Sequence, residues 1–296
     1  MDLLEAILNT SLRLMVPLLL AALGELIAER AGVLNIGLEG MITAGAFSAY
    51  AAVMLGWGWP AAIIAALVIG AAVAAVMAIG AVWMGGNQIL VGFALFILVP
   101  GIANFLYVQI GWTDGSPALN TFAVPLLSEI PVFGPALFEQ TVFFYLAALL
   151  AAAVWFLFAR TRAGVVVTAT GHSPVSVNNR GSSSRRVRTY ALLACGALAG
   201  IAGAAMSLGS VGSYVPNIVG GRGLIVIAIV ILGRWTVPGA VAGALLIAVL
   251  DSLQLNLAEQ SGIPLQLFST LPWLVVIAML VVSARLRSNV PRTLAQ

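Results

Sequence analysis

The sequence predicts an all-α fold, a polytopic transmembrane helical bundle of about nine spans (eight to ten) with one short half-length helix and a short helix on the cytoplasmic surface. Three observations predict it. Hydrophobic residues make up 61% of the 296 residues, charged residues 8%, and mean hydropathy is +1.09. A soluble domain carries about 25% charged residues and could not hide this much apolar surface from water. Charged residues are also missing in long runs. Residues 40–113, 74 in succession, contain no Asp, Glu, Lys, Arg or His, whereas one spanning helix needs about 20. Further such runs separate Glu139 from Arg160, Arg188 from Arg222, Arg234 from Asp251 and Glu259 from Arg285. None of them alternates apolar and polar residues as barrel strands do, so their backbone groups must be satisfied within helices.

The elements follow in order, as one membrane domain over residues 1–296. Spans are expected near 11–28, 33–56, 60–84, 87–110, 140–159, 189–210, 222–233, 236–257 and 268–284. Boundaries are set by Gly56–Pro60, Gly85-Gly86-Asn87, two loops, Gly233-Arg234 and Gly262–Pro264. All thirteen basic residues are Arg, and nine fall in two places. Arg160, Arg162, Arg180, Arg185, Arg186 and Arg188 sit in one loop; Arg285, Arg287 and Arg292 sit in the C-terminal tail. The positive-inside rule places both in the cytoplasm. Gly111–Gln140, with Asp114, Glu129, Glu139 and no basic residue, reads as an outside loop. Nine spans then put the N-terminus outside. The 222–233 segment covers about half of a ~30 Å hydrocarbon core. It is either extended by Tyr214–Val219 or a half-helix dipping in and out.

Several features have ordinary readings. Asp2 and Glu5 stand where a signal peptide needs positive charge. Gly196, Gly200 and Gly203 let helices approach closely in lipid. Cys195, the single cysteine, excludes an intramolecular disulfide and reads as a small buried apolar residue. Trp57, Trp59, Trp112 and Trp273 lie near span ends, as an interfacial belt does. Arg234 reads as a snorkelling anchor, and Arg222 as an anchor of the short helix at an interface.

The chemistry of an enzyme is missing from the sequence. It has no Walker A pattern, no metal-ligand cluster, and His172 as its single histidine. Basic residues cluster at membrane edges, which argues against nucleic-acid binding. What is left is a transporter, a channel or a subunit of a complex. An ion-coupled secondary transporter would centre on an intramembrane acid, Asp251 or Glu39; few acids lie in the spans, Glu25 being another near the end of the first. A passive channel is the third reading.

The inside loop has structure of its own. Ser173-Pro174 resembles a helix start, with Ser as cap and Pro in the first turn, and Gly181 can end that helix about two turns later. A short surface helix flanked by Arg suits docking into a groove of a cytoplasmic partner; an ordinary basic loop is the alternative.

At this loop the chain resembles a family. Gly171-His172-Ser173-Pro174, Gly181, and the approach from Arg186 to the small-residue run Gly196–Gly200 look like the permeases of the ribose/galactose and branched-chain amino acid ABC importer superfamily. Gly32–Met41 is similar to that family's signature near the second helix, Gly86-Asn87-Gln88-Ile89 to its motif opening the fourth span, and Gly221–Ile225 with Gly233–Gly239 to its late signature. The matches come in family order and cover nearly the whole chain. The form Leu38-Glu39-Gly40-Met41 and the short chain resemble the branch that serves nucleosides or simple sugars. The resemblance implies the shorter of two permease subunits, in the cell inner membrane. It also implies two nucleotide-binding ATPase subunits that bind ATP and Mg, a second, longer permease and an extracytoplasmic solute-binding protein, with no cofactor in this chain. A permease of the same superfamily for branched-chain amino acids is an alternative.

In this loop His172, Ser176, Asn178, Asn179 and Arg180 replace the acid and the Ala-rich helix usual in the family. Coupling to the ATPase is expected at Gly171, Ser173, Pro174, Val177, Arg180 and Gly181. The pathway is expected to use Asn35, Glu39, Asn87, Gln88, Asn104 and Asp251, with Thr43, Gln254 and Asn256 as further candidates. Amide groups pair well with a polyhydroxyl or nucleobase solute; for each residue the competing role is helix–helix hydrogen bonding. Glu39 has a further reading, as a cap for the bend at Gly37 and Gly40.

Overall fold

The computed structural model describes residues 3–112, 122–123, 139–261 and positions 270, 274, 277, 281, 291, 293 and 294. Helix α1 (Leu3–Arg30) is about 42 Å long at 1.5 Å per residue, enough to cross a bilayer. After a non-helical stretch come α2 (Leu38–Met54) and α3 (Trp59–Ala78). Extended Gly58 and Pro60 start α3, and a π-helical turn, Ile79–Trp83, continues it. Helix α4 (Gln88–Ile110) opens on Asn87, whose side chain accepts the N–H groups of Ile89 and Leu90, and closes on left-handed Gly111. Phe122–Ala123 (β1) pairs antiparallel with Glu139–Gln140 (β2). Then follow α5 (Val142–Arg160), α6 (Arg162–His172), α7 (Pro174–Asn179), and α8 (Ser184–Ala204) with its π-helical extension Ala205–Val211. Helices α9 (Arg222–Leu232) and α10 (Val237–Ser261) follow.

Among the described residues six helices are long and apolar enough to cross a membrane: α1, α3, α4, α5, α8 and α10. Helices α2 and α9 are shorter. The expected span 33–56 is therefore corrected: its helix begins only at Leu38. Residues 31–37 stay non-helical because the turn at Gly32 has φ +80° and side chains supply the missing acceptors. The N–H of Leu34 donates to Gln88 Oε1 (3.0 Å), and that of Asn35 to Glu25 Oε1 (3.1 Å). Irregular backbone survives at membrane depth only when protein satisfies it in this way. The expected span 268–284 lies outside the described residues apart from four positions, as do Trp273 and most of the Gly111–Gln140 loop.

Helix α8 is the hub. It packs against α1, α2 and α3, and α10 covers another face of α1. Its glycines make the packing possible. A Cβ on Gly200 would lie 2.0 Å from Ala66 O, one on Gly203 2.0 Å from Ile42 O, and one on Gly196 2.4 Å from Gly70 O. Gly45 and Gly70 meet the same seam from α2 and α3. Backbone therefore touches backbone, the small-residue packing expected from Gly196, Gly200 and Gly203. The outer helices carry the opposite pattern. Phe93, Ile97, Leu98 and Phe105 of α4 and Leu149, Trp155 and Phe156 of α5 are exposed, as befits surfaces solvated by lipid. Trp57 and Trp59 are exposed at the α2–α3 turn.

Candidate translocation and coupling sites

Two helices begin inside the protein and meet at Glu39. Glu39 stands in the first turn of α2 and is only 5% exposed. Its Oε1 accepts the N–H of Gly221 and its Oε2 the N–H of Gly223, both at 2.8 Å. These N–H groups open α9, where an α-helix has no acceptors of its own. One carboxylate thus lies against two helix N-termini, each carrying partial positive charge. Glycine makes the approach possible: Gly221 is left-handed, and a Cβ on Gly223 would lie 2.8 Å from Glu39 N. The Gly37–Gly40 bend serves another contact, since a Cβ on Gly40 would lie 2.6 Å from Leu95 O of α4.

The next residue extends the site. Arg222 Nη2 reaches Asp251 Oδ2 of α10 at 3.6 Å. The residue expected to anchor the short helix is thus also the counter-ion of Asp251. Arg222 begins an eleven-residue helix, so it lies about 15 Å from that helix's far end, close to half of a ~30 Å core. Glu39 and Asp251, expected in the pathway, are therefore brought to one constellation joining α2, α9 and α10.

The other candidates separate. Asn104 Oδ1 accepts the hydroxyl of Tyr214 (2.7 Å). Tyr214 sits among the rings of Tyr50, Tyr107 and Phe47, and Trp112 stands edge-on to Tyr50. Asn35 is fully buried, its Nδ2 facing Met41 Sδ and Cys195 Sγ at 3.3 and 3.4 Å. Gln88 braces Leu34, as described. Thr43 bonds back to Glu39 O and Asn256 to Ser252 O within their own helices. Asn87 is exposed and caps α4. Replacing it with Ala is expected to cost about 1 kcal/mol, and Asn87→Ser to recover most of that; thermal unfolding in detergent reads both.

A second polar cluster was not anticipated in full. Glu25 and Glu29, four residues apart on one face of α1, are both buried. Trp235 Nε1 donates to Glu29 Oε2, and Cys195 Sγ approaches Glu25 Oε2 at 3.5 Å. Glu29 Oε1 and Asn35 Oδ1 are buried with no hydrogen-bond partner among the described residues. The i, i+4 pair of acids in a charge-poor chain was the available signal for Glu29; Trp235 and Tyr214 gave none, because their partners lie 206 and 110 residues away.

Just beyond this cluster the arginines gather. Arg30 Nε donates to Trp235 O (2.8 Å), its guanidinium lying 4.3 Å from the centre of the Phe158 ring. Arg188 Nε donates to Ala31 O (3.2 Å), and Thr293 donates from both N and Oγ1 to Gly171 O. The 160–188 loop and the C-terminal segment thus share one end of the molecule. There the expected short helix forms. Ser173 Oγ accepts Ser176 N–H (3.4 Å), Pro174 opens α7, Val177 buries inward, and Gly181 leaves with φ +82°. Gly171 is buried where a Cβ would lie 2.2 Å from Arg30 O. Asn178 Oδ1 accepts Ser184 N–H (2.9 Å) and ties α7 to the start of α8. Val175 is 68% exposed at the tip, and Arg180 is exposed beside it.

A bundle of long apolar helices holding a buried polar helix break is the build of a membrane transport protein. The chain belongs to the family described as branched-chain amino acid transport system / permease component, which matches residues 7–282. It is similar to the putative glucose ABC transporter permease protein TsgC13 of Haloferax volcanii, 34% identical over 93% of this chain and 90% of that one. It is also similar to the nucleoside ABC transporter permease protein NupC of Lactococcus lactis, 31% identical over 83% and 81% of the two chains. A third relative is the guanosine ABC transporter permease protein NupQ of Bacillus subtilis, 28% identical over 86% and 82%. The chain is thus a multi-pass membrane permease of the ABC transporter type.

Proposed function

We propose that this permease carries a nucleoside or simple sugar through the cell inner membrane as the shorter of two permease subunits of an importer. ATP and Mg bind to partner nucleotide-binding subunits, and an extracytoplasmic solute-binding protein delivers the solute. The arginine end, with the C-terminus, faces the cytoplasm, and the N-terminus lies outside. The observation that carries the reading is the capped helix α7, packed between α6 and α8 while presenting exposed Val175, with α6 in turn packed on α1. A lever of this kind transmits a partner's closure to the bundle. The motion reaches the constellation of Glu39, Arg222 and Asp251 through α1, α9 and α10. The names of the relatives support the solute class, and neutral amides such as Asn104 suit its hydroxyl and base groups. Ion coupling fits less well, because Asp251 already has Arg222 as counter-ion and Glu39 its two N–H donors.

Purified permease in liposomes tests this. Concentrative uptake of radiolabelled nucleoside or pentose is expected only when the ATPase, the second permease and the binding protein are present with ATP. Uptake by this chain alone under an imposed ion gradient would overturn the reading. Pro174→Gly and Gly181→Val should each lower solute moved per ATP hydrolysed by about tenfold, since each loosens the geometry of α7. Unchanged coupling in both would remove α7 from the mechanism.

A further inference from the structure

We infer that the surface this permease offers its ATPase is a positively charged socket, and that the ATPase meets it with an apolar side chain flanked by carboxylates. The inference rests on the coupling role proposed for α7.

The shape comes first. Between α6 and α7 lies an open recess of about 330 Å³. Val165, Val166, Ala169 and Val177 give it an apolar floor, and His172 and Arg180 stand at its rim. Val177 is buried from the α7 side, whereas Val165 is 65% exposed. A recess of this size admits one side chain of a partner, while Val175 on the same helix projects outward. The interface is therefore reciprocal, a projecting apolar residue beside an apolar hollow, the kind of anchor pair that dominates docking energy.

The charge comes second. From Gln140 to Leu250 the chain contains no Asp or Glu, and within that stretch the loop carries six Arg and His172. Arg160, Arg162, Arg180, Arg185 and Arg186 are exposed. Asp251, the next acid along the chain, faces Arg222 at the start of α9. Arg160 and Arg162 adjoin the end of span α5, where headgroup contact accounts for them. Arg180 does not adjoin a span: it follows α7 and borders the recess. A like-charged or neutral groove would leave this field unanswered; an acidic one complements it.

The test uses the whole importer, co-expressed with its ATPase subunit and purified through a tag on the permease. Arg180→Glu and Arg180→Gln leave the fold intact, because the side chain is exposed; a monodisperse elution profile verifies this. Retained ATPase is expected to fall about tenfold for R180E, corresponding to ~1.4 kcal/mol, and less for R180Q. Wild-type retention should weaken as salt rises. Reversing one carboxylate to Arg in the ATPase docking groove should restore retention by R180E. The outcome that overturns the proposal is wild-type retention by R180E. So does a loss that no carboxylate reversal repairs but that follows the anionic lipid content of nanodiscs, which assigns Arg180 to the membrane. If the wild-type permease retains no ATPase at all, the coupling role itself fails, and this inference falls with it.

Discussion

Glu39→Ala abolishes concentrative uptake and lowers stability by about 3 kcal/mol, the expected cost of leaving one buried and one half-buried N–H group without their charged acceptor. The Gly221 and Gly223 amides have no other acceptor within their own helix, because they open it. Removal of the carboxylate also leaves the positive ends of α2 and α9 facing each other in a buried site, where little water screens them. Two further variants separate charge from shape. Glu39→Gln keeps the length but offers one acceptor oxygen, and its amide NH2 then meets a backbone donor; it should lose most of the activity. Glu39→Asp retains both acceptors on a shorter reach and should keep part of it. ATP-driven uptake in proteoliposomes and thermal unfolding in detergent read the two effects separately. If Glu39→Ala transports and unfolds like the wild type, the helix break is not part of the pathway.

The second large effect concerns the seam rather than the pathway. Gly200→Leu prevents assembly of the bundle, and Gly200→Ala destabilises it by about 1–3 kcal/mol. The first added carbon would sit 2.0 Å from a backbone oxygen, Ala66 O, and backbone cannot move aside as a flexible side chain can. Helices α3 and α8 must separate, and the contacts of Gly45 and Gly70 go with them. Gly101 of α4 is the control, because a Cβ there meets nothing within 4 Å; Gly101→Ala should be neutral or slightly stabilising. Gel filtration and unfolding of the three variants in one detergent compare them directly. Equal profiles for Gly200→Leu and Gly101→Ala would show that close helix approach does not hold this fold together.

The sequence-level expectations and the geometry part company at particular residues. Helix α7 was legible because its determinants are local: Ser173, Pro174 and Gly181 act within nine residues of chain. The short α9 was legible for a similar reason, since Gly221-Arg222 and Gly233-Arg234 bracket it. The late start of α2 was not legible, because Gln88 and Glu25 hold residues 34 and 35 out of the helix from other elements. Glu39 was legible as a pathway candidate, with the Gly37–Gly40 bend as its alternative role, but its hydrogen-bond partner Gly221 lies 182 residues away. The pairing of Arg222 with Asp251 was not legible, because the two stand on different helices. Asn35, Asn87, Gln88 and Asn104 were grouped by chemistry alone, and the fold distributes them among different surroundings.

The sequence by itself determined the solvent, the helical class and the clustering of arginine at one end. Those properties depend on composition, on run length against membrane thickness and on local capping, all additive along the chain. Only the tertiary structure decided which polar groups meet. In an apolar medium a buried donor takes whichever acceptor the packing of several helices brings within about 3 Å, and sequence separation does not encode that distance.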